Sequence, residues 1–298
     1  MSMTRYAISR LIATIPTLIV LTIVVFLMLQ LVPGDPAEIF LGEKRSTPEL
    51  LEQVRHDMGL DRPLYIQYLS YMGNVVRGDL GTSLFNNQPV VGQILAALPY
   101  TLTLALSALL ISTVLGVGLG IVSALKHNTW IDSLAMGFAL LGVSMPVFWL
   151  GLLLIMIFSV NLKWFPPMGQ GSLDRLVLPA LALGLLSSAT LARLVRSSML
   201  DVLSDDYIRT ARAKGLRQNT VVIRHALRNA LIPAVTVMGL QFGGLISGAV
   251  ITETIFARTG LGRMYVESIL NKDITMIQGL TLVLAIIIMA INILVDLS

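Results

Sequence analysis

Charged side chains with the spacing of one helix face occur between residues 205 and 212. Asp205, Asp206, Arg209 and Arg212 span little more than two helical turns, and Asp205 and Arg209 have the i, i+4 spacing at which side chains pair. An exposed pair of this kind contributes only about 0–1 kcal/mol to stability, whereas the same charges at a protein interface fix the register and select the partner. The spacing therefore favours docking of a partner protein.

Residues that would support catalysis or metal binding are missing from the sequence. It has no cysteine and neither an HExxH nor a GxSxG motif, and its histidines, His56, His127 and His225, lie far apart. No GxxxxGK[ST] phosphate-binding loop occurs either. We therefore expect that the protein is not an enzyme and holds no metal or other cofactor itself, which argues against the alternative of an intramembrane hydrolase.

The composition is that of a membrane protein. Of the 298 residues, 55% are hydrophobic and 13% are charged, whereas a typical soluble domain has about 25% charged residues. So few charges cannot cover a water-exposed surface of this size. The composition thus excludes a soluble enzyme, a disordered chain and a nucleic-acid-binding protein, and it predicts an all-α protein that crosses the lipid bilayer several times.

Stretches without Asp, Glu, Lys or Arg locate the membrane spans, because about 20 apolar residues cross the bilayer as a helix. The longest stretch, 80–125, opens with polar turn residues, so its span is placed from Pro99 onward, with 90–98 as a short amphipathic lead-in. The predicted transmembrane helices are six: 9–32, 98–125, 131–160, 177–199, 233–256 and 274–297.

The orientation of these spans follows from the distribution of lysine and arginine. With six spans, both termini and the loop after the fourth span lie on one side of the membrane, and this side carries the excess of positive charge. The positive-inside rule makes that side cytoplasmic. The first span lacks a small-x-small cleavage site after its long apolar stretch, so we expect a membrane anchor and not a removed signal peptide.

Two parts of the chain are predicted to differ in character. Residues 1–93 comprise the first span and an extracytoplasmic insertion, and residues 94–298 comprise the other spans with a cytoplasmic loop near 200–232. In the insertion, the cap-like Ser46-Thr47-Pro48 predicts the start of one helix, and a second helix is predicted over Leu64–Val76.

Three tyrosines, Tyr65, Tyr68 and Tyr71, form a stripe on the second helix of the insertion. The stripe has two interpretations. It packs on the membrane surface, or it is a docking surface for an external partner.

Glycine and proline mark further positions within the spans. Gly116 and Gly120 form a GxxxG pattern, which predicts close packing of two helices. Pro146 removes a backbone donor from the third span and predicts a kink there. Pro146 and Gln241, in the fifth span, are the candidate residues for a kink or for a substrate pathway.

The cytoplasmic loop is predicted to contain two short helices. Ser204 is the candidate cap of the first, with two aspartates in its first turn, and Gly215 is placed to end it in a left-handed conformation. The second covers 219–230, and Pro233 then opens the fifth span. One interpretation is docking of a protein on these helices. The other is contact between a basic loop and anionic lipid.

At this loop, Tyr207–Gly215 and His225–Pro233 resemble the coupling loop of the inner-membrane permease subunits of ABC importers, in the subgroup of dipeptide, oligopeptide, nickel and glutathione permeases. Further segments similar to this subgroup are Leu31–Pro36, Met58–Pro63, Arg77–Ser83, Glu253–Phe256 and Gly260–Gly262. The resemblance covers nearly the whole chain.

The resemblance implies a type I ABC importer permease in the bacterial inner membrane. It also implies a second homologous permease subunit, two ATPase subunits of one or two kinds that bind ATP and Mg, and a periplasmic substrate-binding protein. The implied ATPase-coupling residues are Asp205, Asp206, Arg209, Ala211, Arg212, Gly215 and Pro233. Members of the family extend beyond the position of Ser298, which implies a further C-terminal segment.

The implied cargo is a di- or oligopeptide, and the alternatives are a nickel chelate, glutathione or another small solute. A secondary transporter or channel is a more distant alternative. Such proteins use charged residues within the membrane as coupling sites or filters, and the charge-free stretches contain none.

Overall fold

The structure, a computed structural model, describes residues 3–31, 36–41 and 47–296. Over these ranges the chain forms helices joined by turns, with no β-strand and one isolated antiparallel bridge between Thr82 and Pro89. The prediction of an all-α protein is confirmed. The helices are α1 (Met3–Leu31), α2 (Pro36–Leu41), α3 (Pro48–Asp57), α4 (Leu64–Val76), α5 (Val90–Leu125), α6 (Trp130–Ser144), α7 (Val147–Leu154), α8 (Asp174–Ser204), α9 (Asp206–Ala213), α10 (Gln218–Thr220), α11 (Leu227–Ala230), α12 (Ile232–Ile255), α13 (Leu261–Leu270) and α14 (Ile274–Asp296).

Four helices, α5, α8, α12 and α14, are long and apolar enough to cross a membrane. Shorter apolar stretches lie within the first and third predicted spans or extend at most one residue beyond them: Ile12–Leu27, Trp130–Leu140 and Val147–Asn161. The lead-in predicted over 90–98 is wrong as a separate element, because α5 begins at Val90 and continues through Pro99. α5 and α8 contain the second and fourth predicted spans, and α12 and α14 match the fifth and sixth within one residue at each end.

The third predicted span is interrupted at Pro146 rather than only kinked. Met145 has φ −101° and ψ 132°, and Pro146 has φ −60° and ψ 140°, so two consecutive residues are extended between α6 and α7. Proline has no N–H and disfavours helical backbone at the residue before it, which explains the break. After the break, α7 continues as a π-helical segment over Ile155–Asn161.

The chain divides into two compact units. Met1–Pro99 and Arg263–Ile293 form the first, and Tyr100–Gly262 forms the main part of the second. In the first unit, the turn after Gly81 is fixed to the start of α14: the Ser83 hydroxyl and the Leu84 N–H both donate to the buried Asp273 carboxylate. The same carboxylate caps α14 by accepting from the Met276 N–H at 3.1 Å.

Two tyrosines of α4 pack against α1 in the first unit. The ring of Tyr68 meets Phe26 edge-on at 5.5 Å between centroids, and Tyr71 lies 6.0 Å from the same ring. The Tyr68 hydroxyl also forms a 2.9 Å hydrogen bond with the Thr22 hydroxyl. Tyr65 is exposed. The stripe therefore holds α4 to the first apolar helix and leaves only Tyr65 free for either of the predicted roles.

In the second unit, the loop that follows α12 is held in place by hydrogen bonds to a buried carboxylate. Glu253 accepts a hydrogen bond from the Thr101 hydroxyl at 2.7 Å and one from the Gly262 N–H at 2.8 Å. A Cβ on Gly260 would lie 2.1 Å from a Glu253 carboxylate oxygen. This contact explains why glycine occupies position 260, which lies in one of the segments that carry the family resemblance.

Gly116 and Gly120 bring α5 into close contact with α8. A Cβ on Gly116 would lie 2.9 Å from the Ser188 carbonyl oxygen, and one on Gly120 would lie 2.8 Å from the Ala192 carbonyl oxygen. A Cβ on Gly118, between them, would meet no atom within 4 Å. The packing role predicted for the GxxxG pattern fits this geometry, because only the two glycines of the pattern face α8.

We predict that Gly120→Ala destabilises the helix pair, because the added methyl group meets backbone that cannot rotate away. Overpacking of this kind costs about 1–3 kcal/mol. Gly118→Ala is the matched control on the same helix and should leave stability unchanged. Thermal unfolding of the purified protein in detergent measures both. Equal midpoints for the two variants would show that α5 and α8 are not in close contact.

Candidate functional site

The junction between α8 and α9 lies at Asp205. α8 continues to Ser204, beyond the predicted end of its span, and Asp205 is extended with φ −64° and ψ 149° before α9 begins at Asp206. The Ser204 hydroxyl donates to the Asp201 carbonyl at 2.7 Å. The predicted Ser204 cap is therefore wrong. Asp205 takes the cap position, and Ser204 is the last residue of the preceding helix.

One face of α9 is buried in the core of the second unit. Ile208 is 0% exposed and Ala211 is 6% exposed, and their i, i+3 spacing puts both on the same side of the helix. They pack in one apolar cluster with residues of α8 and of the segment after α10; its fully buried members include Leu191, Val195, Met199, Val221 and Ala226. Burial of this face holds α9 against the end of α8.

The predicted docking charges lie outside this buried face, with Asp205 at the cap of α9 and the others on the helix, and all of them are exposed. The Arg209 guanidinium lies 3.6 Å from the Asp206 carboxylate, an i, i+3 ion pair, with side-chain exposures of 72% and 96%. The sequence spacing predicts Asp205, and not Asp206, as the partner of Arg209. The partner differs because α9 begins only at Asp206, which leaves Asp205 outside the helix. Arg212 is also exposed on this helix. So exposed an ion pair adds little to folding stability, which leaves these charges available to a partner.

Gly215 ends α9 in the left-handed conformation that the sequence predicts. Its φ is +72°. Its N–H donates to the Arg212 carbonyl at 2.9 Å, and the Leu216 N–H donates to the Ala211 carbonyl at 3.4 Å. These two bonds form a Schellman motif. A Cβ at position 215 would meet no atom within 4 Å, so glycine is required there by the backbone conformation and not by a lack of space.

The second short helix of the loop consists of α10, a π-helical segment over Val221–Ala226, and α11. Its bounds agree with the predicted 219–230 within one residue. The Asn229 amide donates to the Tyr207 hydroxyl at 2.8 Å, which ties α11 to α9. Pro233 lies in the first turn of α12, where a missing N–H leaves no helical bond unmade.

An ion pair that the sequence did not reveal, with its carboxylate buried, anchors α8 almost three helical turns before α9. Arg196 donates from Nε to Asp132 Oδ1 at 2.9 Å and from Nη2 to Asp132 Oδ2 at 2.8 Å. The Ser123 hydroxyl and the Asn128 N–H also donate to this carboxylate. The network joins the turn between α5 and α6 to α8. The sequence feature that could have pointed to this ion pair is a single aspartate in the first turn of a long apolar helix.

The two candidate pathway residues lie apart from the loop. Gln241 is on α12, and its Nε2 donates to the Ser187 carbonyl of α8 at 3.1 Å. Its Oε1 is buried and has no hydrogen-bond partner among the described residues. Pro146 lies at the break between α6 and α7. A role of either residue in a substrate pathway stays a prediction, whereas Asp205 to Gly215 come together around α9.

Comparison with known protein families places this arrangement in context. The model of the family described as "binding-protein-dependent transport system inner membrane component" matches residues 116–298. A model of the N-terminal part of such membrane components matches residues 3–105. The chain belongs to this family. The protein is therefore the inner-membrane permease component of a binding-protein-dependent ABC importer.

Curated relatives agree with this assignment. The permease is 43% identical over 294 residues to the glutathione transport system permease protein GsiC of Escherichia coli, a match that covers 99% of this chain and 96% of that protein. The protein of the same name from Shigella flexneri serotype 5b is 42% identical over the same length. The prediction of a multi-pass inner-membrane permease of the peptide, nickel and glutathione group is confirmed.

Solved structures share the fold of the permease. A chain of the MetNI methionine ABC transporter, in an inward-facing conformation, matches with a TM-score of 0.59 and 18% identity over 68% of this chain and 93% of that chain. A chain of an amino acid ABC transporter crystallised with histidines matches with a TM-score of 0.53 and 16% identity over 69% and 92%. These matches support the type I ABC permease fold.

We predict that the end of α9 tolerates asparagine but not valine at position 215. A β-branched residue at φ +72° costs about 1–2 kcal/mol, whereas asparagine visits the left-handed region readily. Gly215→Val should therefore uncouple transport from ATP hydrolysis while membrane insertion stays normal, and Gly215→Asn should keep most of the transport. Transport by Gly215→Val at the wild-type rate would show that the Schellman motif is not needed for coupling.

Proposed function

We propose that the permease forms half of the translocation pathway of an ATP-driven importer and that α9 is its ATPase-coupling helix. The observation that carries this proposal is the asymmetry of α9. Ile208 and Ala211 fix one face to the core, and the charges of Asp206, Arg209 and Arg212 are exposed on the remainder. A helix bound in this way moves with α8, so a partner that moves α9 also moves a candidate membrane span.

The proposed topology has six spans, with both termini and α9 in the cytoplasm. α5, α8, α12 and α14 supply four of them. α1 supplies the first, and α6 with α7 supplies the third, divided at Pro146. The insertion after α1 then lies in the periplasm, on the side where a substrate-binding protein docks. The basic residues of the segment from α9 to α11 support this orientation through the positive-inside rule.

The proposed partners are a second homologous permease subunit, two ATPase subunits and a periplasmic substrate-binding protein. The ATPases, of one or two kinds, bind ATP and Mg, and this chain contributes no catalytic group. Closure of the ATPases on ATP draws the coupling helices together and turns the cavity between the permeases outward. Hydrolysis returns it inward. The cycle requires that α9 bind the open and closed ATPases with different free energies. Otherwise ATP binding would not change the equilibrium between the inward- and outward-facing states of the permeases.

We propose glutathione, or a peptide of similar size, as the cargo. The relatives at 42–43% identity are named glutathione permeases, which favours the glutathione alternative over the expected di- or oligopeptide class. The test is ATP hydrolysis by the complete importer, reconstituted with its binding protein in vesicles. We expect glutathione to stimulate hydrolysis several-fold and a dipeptide to have a small effect. Stimulation by the dipeptide alone would return the assignment to the peptide class.

We predict that reversing the charges of α9 releases the ATPases. Arg209→Glu with Arg212→Glu changes two exposed side chains and leaves Ile208 and Ala211 buried, so insertion and permease pairing should be normal. Affinity purification through the permease then measures the bound ATPase subunits. The matched control is Arg62→Glu with Arg77→Glu, two exposed arginines of the insertion, which should retain the ATPases. Wild-type ATPase recovery with the α9 double variant would contradict the docking role.

A further inference from the structure

A polar groove lies beside the coupling helix, on the segment that leads into α12. It has a volume of about 570 Å³ and is lined by Tyr207, Arg224, His225, Arg228, Asn229 and Ile232. Most of them lie in the segments that resemble the coupling loop, but none is among the residues that the resemblance implies for ATPase coupling. The groove is formed because the Asn229 to Tyr207 hydrogen bond fixes α11 against α9, leaving Arg224 and Arg228 along one side at i, i+4 spacing.

The charge of this groove is of one sign. Arg224 and Arg228 are exposed, and neither takes part in an ion pair within the described ranges. The chain has no Asp or Glu between Asp206 and Glu253, so no acidic residue of this segment neutralises them. The exposed surface of α9, by contrast, carries both aspartate and arginine. A surface with both signs selects a protein partner, whereas two adjacent arginines without an acid attract an anion.

Apolar side chains flank these arginines. Ile223 and Ile232 are each 66% exposed, and isoleucine is one of the residues most often buried in water-soluble proteins. Ile232 is the first residue of α12, a candidate membrane span. Arg228 precedes it by four residues, about one helical turn. In the proposed topology α12 enters the bilayer near Ile232, so Arg224 and Arg228 would lie close to the membrane surface, where arginine side chains reach the lipid phosphates.

We infer that this groove binds the headgroup of an anionic phospholipid, with Arg224 and Arg228 at the phosphate and Ile223 and Ile232 against the acyl chains. The inference rests on the proposed topology only in that α12 must cross the membrane. Both interpretations of the basic loop, docking of a protein and contact with anionic lipid, then hold, each for a different surface. The exposed charges of α9 face the ATPase, and the arginines before α12 face the lipid.

The test is retention of phosphatidylglycerol by the purified importer complex that contains the permease. Wild-type protein is taken from nanodiscs of phosphatidylcholine mixed with phosphatidylglycerol, and native mass spectrometry counts the lipids that stay bound. At about 1 kcal/mol for each arginine at a charged membrane surface, Arg224→Gln with Arg228→Gln should weaken phosphatidylglycerol binding about 30-fold. Arg209→Gln with Arg212→Gln removes the same charge from α9 and should leave lipid retention unchanged.

One further double variant and one further measurement make the outcome decisive. Arg224→Lys with Arg228→Lys keeps the charge and should restore retention, which separates loss of binding from loss of folding. Wild-type retention of phosphatidylglycerol by the glutamine pair would overturn the inference. So would loss of the ATPase subunits from that pair with lipid retention intact, because the groove would then belong to the protein interface. Lipid retention and ATPase recovery are counted separately on the same purified importer, so the lipid result is independent of whether α9 couples to an ATPase.

Discussion

The burial of Ile208 and Ala211 is the contact on which the proposed coupling depends. A helix as short as α9 is not stable in water by itself, because nucleation is costly and few hydrogen bonds follow. Its position is therefore set by the apolar cluster that it shares with α8 and the segment after α10. Since cores are close-packed, α9 cannot be displaced along its axis without opening that cluster. A force on its charged face is passed to α8.

From α8, two further contacts carry such a displacement to α5 and α6, which pack against it in the second unit. Gly116 and Gly120 bring the backbones of α5 and α8 together, and Arg196 holds the turn between α5 and α6 through the Asp132 carboxylate. Both contacts use groups with little freedom to adjust: backbone against backbone, and a bidentate ion pair buried at its carboxylate. α5, α6, α8 and α9 are thus joined by contacts that favour movement as a group.

Much of this arrangement could be predicted from the sequence, because the deciding signals are local. The bounds of α4, the left-handed Gly215 and the second short helix of the loop all follow from periodicity, glycine placement and capping residues. The span positions follow from charge-free stretches. The coupling loop was found because aspartate, arginine and glycine recur there at helical spacing, and the resemblance to permeases then gave that spacing a function.

Other features depend on residues distant in sequence and could not be predicted in this way. Ser204 and Asp205 are both good caps, and the choice between them follows from how far the packing of Met199 and its neighbours extends α8. Asp132 and Arg196 are 64 positions apart, so their pairing follows from the fold. The presence of a proline also does not predict whether a helix is kinked or broken. The chain is broken over two residues at Pro146, whereas Pro99 and Pro179 lie within continuous helices.

The most direct test of the account is a photo-crosslink from the exposed face of α9. A benzoylphenylalanine in place of Thr210 points away from the buried Ile208 and Ala211, and one in place of the exposed Tyr65 serves as the control in the insertion. On irradiation of the assembled importer, the account predicts that position 210 crosslinks to an ATPase subunit and that position 65 does not. Crosslinks from position 210 to lipid or to the binding protein, with none to an ATPase, would contradict it.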